Sequence, residues 1–154
     1  MNHMPNIEVK GYESSNDLFL KSVKAFFETN ASYRGYEQII DLIASKNLDE
    51  YELFEVTSDG VPAGLAAAKL VGHTVVLDVF VVEEGFRGFG VGDALFNAVV
   101  NDKKFEIATN YESMALPGDR STKNFFEQRK GKARLLIVGG PIQTSDSTFQ
   151  IEQE

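Results

Sequence analysis

At 154 residues the chain has the length of one compact domain, and its hydrophobic fraction of 43% separates it from disordered chains. It contains no cysteine, which excludes disulfides, thiolate metal sites and a cysteine nucleophile. A net charge of −8 argues against a nucleic-acid binder, whose affinity would rest on phosphate neutralisation, and no apolar run approaches the ~18 residues that span a bilayer. These features imply one domain over 1–154 with a flexible start at 1–5, no membrane partner and a cytoplasmic location.

Ile7 to Tyr12 is a short strand candidate. Asn16 can cap a helix whose stripe is Phe19, Val23, Phe26 and Phe27, and Tyr36, Ile39, Ile40, Ile43 and Ala44 outline a second. Glu50 to Ser58 and Ala63 to Leu70 read as two strands joined by an Asp59-Gly60 turn. His73 to Val82 is a nearly continuous β-branched run that suits a central strand covered on both faces. Strict alternation places Asp78 on one face with Val76, Phe80 and Val82.

Val91, Ala94, Leu95, Ala98 and Val99 mark an amphipathic helix, followed by a strand at Phe105 to Asn110. Asp119 caps a further helix that runs to about Lys130 and is closed by Gly131. Leu135 to Val138 and Thr148 to Ile151 are the last two strands. Six basic residues against the single acid Glu127 fall between Arg120 and Arg134, a basic stretch on an acidic body. Such a body attracts cations while the stretch can hold an anion. No two histidines lie close in sequence, so a metal site has no support, and His73 reads as structural.

Between the central strand and the amphipathic helix stands Arg87-Gly88-Phe89-Gly90-Val91-Gly92. A strand-to-helix junction of this kind offers unpaired N–H groups and the positive end of a helix dipole, and glycines admit a diphosphate to the backbone. The Walker phosphate loop needs Gly-Lys-Ser/Thr where Gly92-Asp93-Ala94 stands. The dinucleotide fingerprint needs a third glycine where Asp93 stands, in an opening βαβ unit.

The hexapeptide instead resembles the pyrophosphate-binding motif of the GNAT acetyltransferase superfamily, Gln/Arg-x-x-Gly-x-Gly/Ala, and the order of elements resembles that family over nearly the whole chain. The resemblance implies an α/β (α+β) fold with a mixed, mostly antiparallel sheet of about seven strands flanked by four helices, and acetyl-CoA as acyl donor. It implies pantetheine contacts from Phe80 and Val82, a pyrophosphate cradle from Arg87 to Gly92, and carbonyl polarisation by a backbone N–H near Val81. Asn124-Phe125-Phe126-Glu127 resembles the family's second motif, with Phe126 where relatives carry a tyrosine that protonates the departing thiolate. Asp119 stands near the start of that helix, and Lys123 and Arg129 are candidates for the 3′-phosphate of CoA.

Acetyl transfer needs a neutral amine, and a carboxylate can take its proton. Asp78 is the first choice of base and Glu83 the second. Tyr111 is the candidate acid in place of Phe126, and Tyr33 and Tyr36 are candidates for the acceptor side. The resulting expectation is an N-acetyltransferase acting on a small-molecule or protein amine, with direct attack in a ternary complex because no cysteine exists to carry an acyl group. The alternative is a non-catalytic acyl-CoA-binding or regulatory module, and dimers are frequent among relatives.

Overall fold

The computed structural model describes residues 4–13, 15–29, 40–41, 43–86, 88–113, 120–131 and 142. Strands β1 (Ile7–Gly11), β2 (Glu52–Ser58), β3 (Val61–Val71), β4 (Thr74–Val82) and β5 (Asn110–Ser113) form one sheet in that spatial order. The first four pair antiparallel and β5 joins β4 in parallel, which makes the sheet mixed. The helices are α1 (Asn16–Thr29), α2 (Val91–Val100) and α3 (Arg120–Glu127).

The described residues therefore hold five strands and three α helices, not seven and four. The two final strands expected at 135–138 and 148–151 lie outside the described residues, as does most of the second helix, of which residues 40, 41, 43 and 44 are helical.

The sheet separates two cores. On one side Phe54, Val56, Ala66, Ala68, Val75, Leu77 and Phe80 meet Val91, Leu95, Phe96 and Val99 of α2 and Phe126 of α3. On the other, Leu65, Ala67, Val79 and Val81 meet Phe19, Val23 and Phe27 of α1, with Ile43, Leu48 and Tyr51. Each fully buried large side chain contributes about 1.5–3 kcal/mol, so the two helical layers hold the sheet from both faces.

Several local expectations shift. The α1 cap is Ser15, whose hydroxyl accepts from the Leu18 N–H at 3.3 Å. Asn16 instead sends its side-chain amide to Asp49 at 2.8 Å. Residues 105–110 do not form a strand. Asp102 caps a short 3₁₀ turn at Lys103–Phe105 by accepting from the Lys104 N–H, Phe105 plugs the α2 core, and extended backbone begins only at Asn110. His73 belongs to the turn before β4, where its carbonyl accepts from the N–H groups of Thr109 and Asn110.

The largest correction lies in β4. Ala67 of β3 faces Val79 while Ala68 faces Leu77, so Asp78 is an extra residue in β4. Such a bulge reverses the alternation beyond it. Val75 and Leu77 face the α2 core, and after the bulge it is Phe80, with Val82 packed alongside, that does so. Asp78 does not share their face. Its carboxylate meets Tyr51 of the α1 core.

Candidate active site

Among the described residues the parallel register of β4 and β5 runs from Thr74↔Asn110 to Leu77↔Ser113, and β4 continues to Val82. Among the described residues no strand pairs with the outer edge of Asp78–Val81. The bulge residue Asp78 directly follows Leu77, the last β4 residue with a partner among the described residues of β5. The Glu83 N–H donates to the Ala63 carbonyl at 2.8 Å, and the Val81 carbonyl abuts Gly64 of β3. Backbone polar groups alternate along a strand, so Val81 turns its N–H toward β3 and Phe80 presents its own to the outer edge. The backbone N–H expected near Val81 therefore falls to Phe80.

Beyond β4, a 3₁₀ turn at Glu84–Phe86 leads into the glycine loop. Gly88 and Gly90 have φ of 87° and 82°, in the left-handed region that costs a non-glycine residue about 1–2 kcal/mol. Gly90 is the N-cap of α2 and offers no side chain to its first-turn N–H groups, which a helix leaves without intrahelical partners. Those donors and the dipole favour an anion. Phe89 stands 59% exposed at the loop, while Val91 is fully buried. A Cβ on Gly92 would come within 3.1 Å of the Phe125 ring, which shows how closely α3 approaches the α2 N-terminus. Arg87, Asp119, Tyr33 and Tyr36 lie outside the described residues, as does the side chain of Lys123.

Phe126 is buried among Phe80, Phe96, Tyr111 and Phe125, with ring centroids 5.2–6.0 Å apart. Arg129, a 3′-phosphate candidate, is ion-paired with Asp93 and lies 3.5 Å over the Phe125 ring, and its guanidinium donates to the Phe125 carbonyl. Desolvation draws its pKa downward. It ties the end of α3 to the first turn of α2.

Tyr111 lies within β5 and its hydroxyl is shared between the carbonyls of Phe126 and Arg129, at 3.1 and 3.0 Å. Burial raises its pKa, which keeps the phenol protonated as a donor. A Cβ on Gly131 would lie 2.8 Å from this hydroxyl and 2.7 Å from the Phe126 carbonyl oxygen, so that position admits only glycine. The left-handed residue that ends α3 is Lys130, with φ of 66°, and not Gly131. The Gly131 N–H donates back to the Phe126 carbonyl at 2.8 Å. Tyr111→Phe is expected to cost about 1–1.5 kcal/mol through the lost bond. A denaturant midpoint that moves down at constant slope would show it, and an unmoved midpoint would refute the clamp.

The Asp78 carboxylate, 11% exposed, accepts from the Tyr51 hydroxyl and lies 3.8 Å from the Lys46 ammonium, itself 31% exposed. Desolvation, then the bond to Asp78, raises the pKa of Tyr51, so its proton stays in place. Lys69 places its ammonium 4.8 Å from the Tyr51 ring centroid. Glu83, the second carboxylate, is half-buried where β4 ends. Sequence reasoning missed Tyr51 and Lys46, because both lie far from Asp78 along the chain and carry no local signature.

The model of the acetyltransferase (GNAT) family matches residues 17–131. The chain belongs to that family. Comparison with curated proteins finds no match. Among solved structures, a protein from Pyrococcus furiosus assigned as an acetyl transferase is 20% identical, with 89% of this chain and all of that one covered and a TM-score of 0.64. The aminoglycoside N-acetyltransferase AAC(6')-Iy, solved with CoA, is 16% identical over 94% of this chain and 99% of its own, with a TM-score of 0.60. The ribosomal-protein-S18-alanine N-acetyltransferase of Escherichia coli is 17% identical over 80% and 76%, also with a TM-score of 0.60. At these identities the likeness shows the fold alone. Among the described residues no helix is long and apolar enough to cross a membrane.

Proposed function

We propose that this GNAT chain is an acetyl-CoA-dependent N-acetyltransferase that moves an acetyl group onto a primary amine in the cytoplasm. One observation carries the reading: the bulged strand β4 leads through a short turn and the glycine loop into a helix N-terminus capped only by Gly90. A pyrophosphate fits that N-terminus, and an extended pantetheine arm would run back along β4. The structure of AAC(6')-Iy with CoA lends support from the same fold.

In this reading the N–H groups of Gly88 to Gly92 hold the pyrophosphate, with Arg87, Asp119 and Lys123 toward the phosphates. Phe80 and Val82 flank the arm, and the Phe80 N–H polarises the thioester carbonyl. Asp78 takes the proton from the amine as it attacks, and Glu83 is the reserve carboxylate. Bound acetyl-CoA supplies the activated acyl group, and the absence of cysteine favours direct transfer. Tyr111 anchors β5 to α3 through a hydroxyl already shared between two carbonyls.

That commitment, together with Phe126, favours a second reading in which the chain binds acyl-CoA without turnover. Titration calorimetry with acetyl-CoA and CoA tests both, followed by a thiol-release assay over amines, amino acids and peptides. Saturable binding with turnover supports the enzyme, and binding without turnover on any amine supports the module. No binding overturns both.

A further inference from the structure

The proposed base already has a primary amine beside it. Lys46 places Nζ 3.8 Å from Asp78 Oδ2, and it does so from a short connector pinned at both ends. On one side Ile43 is buried at 1% exposure, and the Lys46 N–H donates to its carbonyl at 3.0 Å. On the other, Leu48 and Tyr51 are each 5% exposed. The Tyr51 hydroxyl holds the same carboxylate oxygen that Lys46 faces. The amine is thus aimed by the fold at the bulge residue of β4.

A lysine paired with a half-exposed surface carboxylate would be an ordinary ion pair. The Lys104–Glu52 pair, 2.9 Å apart and with the lysine 67% exposed, is of that kind. Lys46 differs in location, because its carboxylate partner is 11% exposed and is the bulge residue of β4, the base of the proposed transfer.

We infer that Lys46 is an acetyl acceptor of this chain itself, acetylated in cis by acetyl-CoA at the site described above. The inference rests on the acetyl-CoA reading of that site. The ammonium first releases one proton to solvent. The neutral Nζ then attacks the thioester carbonyl carbon, so that a C–N bond forms and the C–S bond breaks. Asp78 takes the second proton from nitrogen and passes it to the leaving sulfur. The products are acetyl-Lys46, CoA thiol and one proton. Acetylation removes the positive charge, so Asp78 loses its counter-ion and is left to an external amine.

The test incubates the full chain with acetyl-CoA and maps acetylated lysines by mass spectrometry over time, with exposed Lys24 and Lys104 as internal references. The expected result is acetylation of Lys46 at least about tenfold faster than at either reference, independent of protein concentration, and about 100-fold slower in Asp78→Asn. A second readout needs no transfer: CoA is expected to slow the labelling of Lys46 by an amine-reactive reagent and to leave Lys104 unchanged. Binding of acetyl-CoA by calorimetry, with Lys46 modified no faster than the references, overturns the inference and leaves the acetyl-CoA reading standing. Absent binding removes that reading, and the inference falls with it.

Discussion

Gly90→Glu is expected to weaken acetyl-CoA binding at least about 100-fold, a loss of about 2.7 kcal/mol. Two effects converge on one residue. Gly90 has φ of 82°, which glutamate adopts only under strain, and it caps α2 without a side chain. A glutamate there brings a carboxylate to the first-turn N–H groups, where it competes with the pyrophosphate and repels it. Gly90→Ala separates the contributions, since it keeps the strain and adds no charge, and it is expected to bind within about tenfold of wild type. The open space beyond Gly90, where the nearest atom to an added Cβ is Ile7 Cδ1 at 3.9 Å, means that neither variant need disturb packing. Calorimetry reads the affinity and circular dichroism the fold. A well-folded Gly90→Glu protein that binds like wild type would remove the loop from the cofactor site.

The second large effect is on turnover. Asp78→Asn is expected to lower kcat by about 100- to 10,000-fold, the range that a general base supplies. Asparagine keeps the size of aspartate and its side-chain oxygen still accepts from Tyr51, so the bulge is retained. What is lost is the capacity to take a proton, along with an ion pair to Lys46 that contributes up to about 1 kcal/mol. Acetyl-CoA affinity is expected to hold, because the carboxylate meets Tyr51 on the α1 side of the sheet, away from the loop. Steady-state rates on an accepted amine, read beside calorimetry, check the split. A variant that keeps wild-type kcat would transfer the role of base to Glu83 or to water.

The family, the glycine loop at a helix start and the two hairpins of the central sheet were legible because each is written locally. Asp59-Gly60 announces a turn, and it joins β2 to β3 with φ of 51° and 81°. Glycines 88, 90 and 92 announce a close-approach loop at a helix start. What was not legible depends on distant partners. Phe105 reads as strand on its own chemistry, yet Asp102 captures the local backbone in a 3₁₀ turn and the ring is drawn into the α2 core. Tyr111 reads as a free phenol until the end of α3 arrives to accept its hydrogen bonds. The surroundings of Asp78 come from Tyr51 and Lys46, separated from it by whole strands. Gly131 was identified as the terminator of α3 for its conformational freedom, but its need is space.

The extra residue of β4 has a further consequence for how the strand keeps its phase. Val75, Val76, Leu77, Val79, Phe80, Val81 and Val82 are all apolar, so their chemistry alone permits either core to receive any of them. A slip of the inserted position by one residue would exchange the tenants of the two cores at little hydrophobic cost. Only the carboxylate breaks that degeneracy, because it cannot enter an apolar core without its partners and they stand at one place. Asp78 is therefore the index mark of the strand. Asp78→Val would unpin the frame of β4 as well as remove a proton acceptor, whereas asparagine keeps the mark and deletes the chemistry alone.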